Sequence, residues 1–390
     1  MAEAATRWAQ VGALAAAGIA AAVQFGKVAP SLLAIGQSFG IGLTGAAGII
    51  SVFALVAATT GLPAGLLAAR VGVRRVLLTA LWGLGAAGLG ASLAPGIGTL
   101  YALRALEGAG FLAIVVSAPT LVAACAAGRD RPLAMTLWSA VLPAGIALGL
   151  LAAPLVEAFG WRVAWAAAAL LPWGAALLVA ATLPAATVGL PAPVQGGLGG
   201  RLAALWRARL PVCVALAFAC YSVIYYGIAN FLPTRLIEGF GLPLSLAGLV
   251  GALAALVNVA GNLSAGWLMR RGRRPAVLVM AAGSAMALLS AGAFALPASL
   301  PLTLATALIA SGIGGAVPAS LFVLAPRAVP DPSLTSPALG LLAQCNNVGA
   351  VLSPLVVAAA ARIDWSLAAL PLLVAGGALL LFARPLRRVG

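Results

Sequence analysis

The sequence contains no histidine, and Asp and Glu together account for only seven of its 390 residues. Histidine is the commonest metal ligand and a frequent proton-transfer group, so its absence argues against a metal centre and against most acid–base catalysis. Charged residues of all kinds make up 7% of the chain, whereas hydrophobic residues make up 63%. We therefore expect a protein that is not an enzyme and that holds no metal ion.

The few cysteines do not indicate a disulfide framework, because all of them lie in apolar segments: Cys125, Cys213, Cys220 and Cys345. We interpret them as small packing residues. The string GLGAAG at 83–88 fits a dinucleotide fingerprint, but it lies inside an apolar helix, without the preceding strand that such a site needs. The sequence also lacks a phosphate-cradling loop followed by lysine. We therefore expect no cofactor.

Long apolar segments recur along the whole chain. Each has about 20 residues or more, which is enough for an α-helix to cross a bilayer. We therefore predict an all-α integral membrane protein with twelve transmembrane helices, at approximately 8–35, 43–68, 74–94, 98–126, 132–157, 162–183, 210–237, 244–269, 275–296, 300–325, 336–361 and 364–384.

The formal net charge of +15 would suggest a nucleic-acid partner in a soluble protein, but membrane topology explains it here. The arginines concentrate in the loops after even-numbered helices and near both ends, whereas the opposite loops contain only Arg162, Arg235 and Arg362. Basic residues are enriched on the cytoplasmic side of membrane proteins. We therefore predict a multi-pass protein of a bacterial cytoplasmic (inner) membrane with both termini in the cytoplasm. Its partners would include the lipid bilayer but no nucleic acid.

The two halves of the sequence repeat at an offset of 200 residues. The identical pairs include Gly72 and Gly272, Arg74 and Arg274, Gly149 and Gly349, Pro154 and Pro354, and Trp165 and Trp365. We predict an N-terminal six-helix bundle at 1–184, a cytoplasmic linker at 185–209 and a C-terminal six-helix bundle at 210–390. Because both bundles would begin on the same side of the membrane, they would be parallel repeats.

A short arginine-rich segment, GLLAARVGVRR at 65–75, separates the second and third predicted helices. It resembles the loop between helices 2 and 3 of the Major Facilitator Superfamily. There, a glycine and a small or apolar run precede an acidic residue, a basic residue, a glycine and paired basic residues. The matching positions form a candidate gating loop: Gly65, Arg70, Gly72, Arg74 and Arg75. The acidic residue, which in the family helps to latch the two halves in one state, is replaced by Ala69.

This resemblance implies a fold of two six-helix bundles related by a pseudo-twofold axis. It also implies secondary active transport of a small solute by alternating access, in which helices 1, 4, 7 and 10 line the central cavity. We expect the protein to be a monomer with a small-molecule substrate. Protons are the candidate coupling ion, through symport or antiport.

Polar side chains inside a bilayer are costly unless they are paired or hydrated, which makes them functional candidates. The candidate substrate-binding residues are Lys27, Gln24, Arg104, Tyr225, Tyr226, Asn230, Asn346 and Asn347. Glu107, which shares a face of helix 4 with Arg104, is the candidate proton-coupling residue. Structural roles remain as alternatives: an ion pair that only fixes helix 4, core packing for the tyrosines, and interhelical hydrogen bonds for the amides.

Lys27 is the only lysine in the sequence. At a helix rise of about 1.5 Å per residue, Lys27 and Glu107 are expected at similar depths in the outer half of the membrane. Three interpretations remain open for Lys27. Its side chain extends to the outer surface, it pairs with Glu107, or its ammonium group holds an anionic substrate.

Two further segments, RPLAMTLWSA at 131–140 and NFLP at 230–233, resemble the cyanate-permease-like branch of the superfamily. Because that branch is associated with small anions, the resemblance favours an anionic solute. The alternative is a proton-driven multidrug efflux antiporter. Such antiporters usually carry a Gly-Pro signature in helix 5, whereas here Gly149 is followed by Leu150.

Overall fold

The computed structural model describes residues 5–41, 43–183, 198–295, 299–361 and 363–389. Nearly all of these residues are helical, apart from short turns and connections. The α-helices are α1 (Trp8–Gly26), α2 (Leu32–Phe39), α3 (Leu43–Val71), α4 (Val73–Ser92), α5 (Ile97–Cys125), α6 (Arg131–Ser139), α7 (Val141–Leu150), α8 (Ala153–Thr182), α9 (Leu198–Ala208), α10 (Leu210–Phe240), α11 (Leu244–Arg270), α12 (Pro275–Ala295), α13 (Leu300–Gly314), α14 (Ala316–Ala328), α15 (Thr335–Ala361) and α16 (Ala369–Ala383).

Within the described residues, twelve helical segments are long and apolar enough to cross a membrane. The pairs α6–α7 and α13–α14 each form one such segment, as does α16 with the short turns that flank it. Many large apolar side chains on these segments are exposed, among them Leu106, Leu177 and Leu249. Such a surface suits lipid rather than water. The prediction of an all-α protein with twelve transmembrane helices is confirmed.

The first predicted helix, 8–35, is not continuous. α1 ends at Gly26, a 3-10 turn covers Ala29–Ser31, and α2 begins at Leu32. Pro30 explains the break, because proline has no N–H to continue the helix and its ring clashes with the preceding turn. The break places Lys27 at the C-terminal end of α1.

Two other predicted helices are also interrupted. The predicted helix 132–157 is divided at Ala140 and again at Leu151–Ala152, and α8 contains a kink at Gly160, whose φ is 79°. The predicted helix 300–325 is divided at Gly315, within a glycine-rich sequence of the kind that commonly kinks helices.

The chain forms two compact units. Unit 1 comprises Met1–Ala134, Val141–Leu198 and Pro332–Gln344, and unit 2 comprises Met135–Ala140, Gly199–Asp331 and Cys345–Gly390. The core of unit 1 includes Trp161, Trp165 and Leu100, and that of unit 2 includes Phe294, Leu232 and Leu372. Residues 185–197 of the predicted linker lie outside the described residues, and α9 follows them, with Trp206 exposed.

Candidate functional site

The break after α1 holds the backbone around Lys27 in place. The amide of Lys27 still donates to Val23 O, at 2.9 Å, so Lys27 closes the last turn of α1. Its carbonyl loses the usual helical donor because the Ser31 amide donates instead to Val28 O, at 2.9 Å, and it accepts a hydrogen bond from Ser31 Oγ at 2.9 Å. Ser31 Oγ in turn accepts from Trp165 Nε1 at 3.0 Å. The broken turn is thereby anchored to α8.

The side chain of Lys27 lies in a cluster of charged groups from α1 and α5. Lys27 Nζ is 2.7 Å from Glu107 Oε1 and donates to Gln24 Oε1 at 2.6 Å. Arg104 Nη1 is 2.5 Å from Glu107 Oε2 and also donates to Gln24 O at 3.0 Å. Gln24 Nε2 donates to Ala168 O at 2.7 Å. The structure thus brings together four residues that the sequence analysis singled out.

This cluster is buried and carries a surplus of positive charge. The exposed fraction is 2% for Lys27 and 0% for Gln24, Arg104 and Glu107. Two cations share a single carboxylate, and a buried charge is costly unless it is paired. In addition, no described residue accepts a hydrogen bond from Arg104 Nε or Nη2. These two donors form one edge of the guanidinium fork, which matches the two oxygens of a carboxylate.

Aromatic rings enclose the two cations. Lys27 Nζ lies 4.5 Å from the centroid of the Trp165 ring, and the Arg104 guanidinium lies 4.6 Å from the centroid of the Phe53 ring. Phe25 and Phe111 pack edge-on or tilted against Phe53, at 5.5 Å and 5.1 Å between centroids. Cation–π contacts partly compensate the lost hydration of each cation without neutralising its charge. The cluster therefore remains able to attract an anion.

Glycines in α7 set the position of α1 beside this cluster. A Cβ atom at Gly149 would lie 2.7 Å from both Gly26 Cα and Lys27 N, and one at Gly26 would lie 2.7 Å from Ile146 O. The two helix backbones are therefore in direct contact one residue before Lys27. The sequence Gly145-x-x-x-Gly149 thus forms a packing surface for α1 and sets the position of Lys27 relative to α7.

The candidate residues of the second half lie in unit 2 around α10. Tyr225 stacks on Tyr221, with 5.7 Å between centroids, and Tyr226 meets Tyr225 edge-on at 5.2 Å. Asn346 accepts from Ser222 Oγ at 2.6 Å and also hydrogen-bonds Tyr226. The consecutive tyrosines thus point in two directions but belong to one polar aromatic cluster.

Two candidates lie at the margins of that cluster. Asn230 is exposed and lies one turn beyond Tyr226 on α10. Asn347 is half-buried beside Asn346 on α15.

Several residues that organise these clusters were not among the predicted site residues. Ser31 and Trp165 fix the break after α1, and Phe53 covers Arg104. Asn258 and Asn262 form a buried network in unit 2, in which Asn262 Oδ1 accepts from Ser139 Oγ at 2.6 Å. For Trp165 the available signal was its match with Trp365 at the repeat offset, but contacts between distant segments could not be read from spacing.

The candidate gating loop joins α3 and α4 in unit 1. Gly72 ends α3 with a φ of 107°, and Gly272 has a φ of 85° in the corresponding turn after α11, so both positions require glycine. Gly65 lies against the backbone of Ser336 and Pro337, where a Cβ atom would not fit. Arg74 Nε donates to Leu183 O at 2.5 Å, whereas Arg70 and Arg75 are exposed.

Comparison with known proteins gives one distantly related protein by sequence and many solved structures with a similar fold. The chain is 27% identical over 311 residues to a gallate transporter of Pseudomonas putida, an alignment that covers 70% of this chain and 68% of that protein. Among solved structures, it resembles the human organic anion transporter MFSD10, with a TM-score of 0.78, 16% identity, and coverage of 97% and 99% of the two chains.

Two sugar transporters give similar matches. For the fucose:proton symporter FucP of E. coli, the TM-score is 0.78 at 16% identity, with coverage of 96% of this chain and 98% of that one. For the proton:xylose symporter XylE, the TM-score is 0.74 at 14% identity, with coverage of 96% and 94%. At these identities the likeness concerns the fold alone. Residues 14–354 match the Major Facilitator Superfamily, and the chain therefore belongs to this family of membrane transporters.

Proposed function

We propose that this transporter carries a small organic anion across a bacterial cytoplasmic membrane by alternating access, with the carboxylate of the solute held by Arg104 and Lys27. The observation that carries the proposal is the buried surplus of positive charge, in which two cations share Glu107. An anionic solute would neutralise that surplus. The free Nε and Nη2 donors of Arg104 would bind its carboxylate side-on.

A second line of support comes from the distant relative, whose name identifies gallate, an aromatic carboxylate, as its solute. The aromatic surroundings of Arg104 suit a flat aromatic acid, because Phe53, Phe25 and Phe111 would offer it faces and edges for stacking. We therefore place aromatic carboxylates first among the solutes to be tested. The alternative of multidrug efflux has less support, since a surplus of buried cations repels cationic drugs.

Glu107 is proposed as the proton-coupling residue because it is the counter-ion of both cations. When Glu107 takes up a proton, Lys27 and Arg104 lose their shared negative partner, and an anion then binds more strongly. By linkage, a bound anion also strengthens proton binding at Glu107. The proton and the anion therefore favour each other's binding, which predicts symport rather than antiport.

In unit 2, we propose Tyr225, Tyr226 and Asn346 as further solute-binding residues, with Asn230 and Asn347 as weaker candidates. Phenol and amide groups in a partly exposed aromatic cluster can hydrogen-bond a hydroxylated solute. We also propose that the protein functions as a monomer with both termini in the cytoplasm.

Counterflow in proteoliposomes tests the proposed solute class. Vesicles loaded with unlabelled gallate should accumulate labelled gallate, and other aromatic carboxylates should compete with it. The uncharged amide of gallic acid and quaternary ammonium drugs should compete weakly or not at all. Efficient exchange of cationic drugs without exchange of any carboxylate would overturn the proposal in favour of drug efflux.

A further inference from the structure

An apolar groove of about 660 Å³ lies between α3, α4 and α5 on the surface of unit 1. It exists because small residues line its floor, among them Ala80, Gly83 and Gly110. A Cβ atom added at Gly83 would have no other atom within 4 Å, so the space beside it is open. The groove is separate from the charged cluster, since Lys27, Arg104 and Glu107 are not among its lining residues.

The length of the groove matches one leaflet of a membrane. Its lining on α4 runs from Val76 to Ala87, which is about 16 Å at a rise of about 1.5 Å per residue. The hydrocarbon core of a bilayer is about 30 Å thick, so one leaflet contributes about 15 Å. The groove therefore begins near the α3–α4 turn, at the membrane surface, and is long enough for one lipid acyl chain.

The mouth of the groove is basic. Arg70 and Arg75 directly precede the lining residues Val71 and Val76, and both arginines are exposed. Neither has a hydrogen bond or ion pair with any other described side chain, whereas Arg74 donates a hydrogen bond to Leu183 O. No carboxylate lines the groove. The residue before Arg70 is Ala69, so it does not supply a negative charge to neutralise the arginines either. Two unneutralised guanidinium groups thus stand where a lipid phosphate would lie.

We propose that this groove is a binding site for an anionic phospholipid, phosphatidylglycerol, with its phosphate on Arg70 and Arg75 and one acyl chain along Val76, Gly83 and Leu106. A basic residue near an anionic lipid surface strengthens binding about fivefold. Two of them give a preference of about 25-fold for phosphatidylglycerol over a zwitterionic lipid, whose own cationic group offsets the attraction. This site is independent of the transported solute.

Native mass spectrometry of the full-length protein, released from nanodiscs of phosphatidylglycerol and phosphatidylcholine with identical chains, tests the proposal. The wild type should retain one phosphatidylglycerol through delipidation that removes phosphatidylcholine. The variant Arg70→Gln/Arg75→Gln removes the charges at the mouth, and Gly83→Leu places a bulky side chain in the groove at a position where the added Cβ meets no atom within 4 Å. Each should lower the affinity for phosphatidylglycerol, the first by about 25-fold.

Two matched variants serve as controls. Arg273→Gln/Arg274→Gln removes two exposed arginines from the corresponding loop of unit 2, and Gly174→Leu fills open space beside an exposed glycine of α8. Both should bind the lipid like the wild type. Equal retention of the two lipids by the wild type would overturn the proposal, as would losses in the controls as large as in the test variants. If Gly83→Leu retains phosphatidylglycerol as well as the wild type does, the acyl chain does not lie in the groove.

Discussion

Lys27 Nζ lies 2.7 Å from Glu107 Oε1, although the two residues are 80 positions apart in the chain. Arg104 holds the other oxygen of the same carboxylate, at 2.5 Å. Of the three interpretations that the sequence left open for Lys27, the structure rules out extension to the surface, because Lys27 is 2% exposed. The pairing of Lys27 with Glu107 is observed, and Arg104 adds a second cation whose charge the proposed anionic solute would neutralise.

We expect Glu107→Gln to mimic the protonated state of the site. Because the neutral amide leaves both cations unpaired, the variant should bind gallate as tightly at high pH as the wild type does at low pH. Counterflow should persist, while uptake driven by a proton gradient should be lost. Gallate binding across a pH series, together with gradient-driven uptake, measures both effects.

The control for this variant is Glu157→Gln, since Glu157 is an exposed carboxylate on α8. It should leave uptake and its pH dependence unchanged. If Glu107→Gln keeps gradient-driven uptake with a wild-type pH profile, Glu107 has no part in coupling.

Substitutions of Lys27 and Glu107 should differ in their effect on stability. Lys27→Met leaves the Arg104–Glu107 pair neutral, so it should lower the free energy of unfolding by less than Glu107→Gln does. Glu107→Gln leaves two buried cations without a counter-ion and should cost about 3–5 kcal/mol. Thermal unfolding in detergent, with and without gallate, compares the two.

Substrate binding should show the opposite order. Lys27→Met should lose gallate binding although it folds, and Lys27→Arg should bind poorly because a planar guanidinium does not replace a compact ammonium group. Suppose instead that Lys27→Met is the less stable variant and that combining it with Glu107→Gln restores stability. Lys27 would then be a structural partner of Glu107 and not a binding residue.

Gly149→Ala should displace α1 and with it Lys27. A methyl group at this position meets the backbone of Gly26 and Lys27, and overpacking of this kind costs about 1–3 kcal/mol. We expect a lower unfolding temperature and a higher KM for gallate. The matched change is Gly12→Ala, on α1, where an added Cβ has open space and should be harmless. Equal behaviour of the two variants would show that the α1–α7 contact does not position Lys27.

The proposed topology is tested with reporter fusions. A reporter placed after Gly390 should be active only in its cytoplasmic form, because the basic loops indicate that both termini are cytoplasmic. A fusion truncated after Gly96, in the turn between α4 and α5, should be active only in its periplasmic form. If the fusion after Gly390 were active only in its periplasmic form and the fusion after Gly96 only in its cytoplasmic form, the predicted orientation would be wrong.

The sequence was sufficient for the fold because the fold depends on features that are local or periodic. Apolar segments long enough to cross a bilayer predicted the twelve helices, and the turn at 65–75 together with the repeat predicted the family. The depth of Lys27 and Glu107, calculated from helix rise alone, correctly indicated that they could meet. Pro30 was visible in the sequence, but the broken helix that it causes was not predicted.

The remaining features depend on which helix faces meet, and spacing within one helix does not determine that. Trp165 and Ser31 come from segments more than 130 residues apart, and their hydrogen bond fixes the turn that presents Lys27. The two unpartnered nitrogens of Arg104 also become evident only when every neighbour is known. The same holds for the contact of Gly149 with Gly26.

The most direct test of the central claim measures how strongly the purified protein distinguishes gallate from its uncharged amide, in the wild type and in Arg104→Lys. Lysine keeps the positive charge but loses the two-pronged geometry of the guanidinium group. Because the ratio of the two affinities is taken within each protein, partial loss of folded material cancels. If Arg104 binds the carboxylate, the wild type should prefer the acid strongly, and Arg104→Lys should lower that preference at least tenfold. An unchanged preference in Arg104→Lys would contradict the assignment of Arg104 as the carboxylate-binding residue.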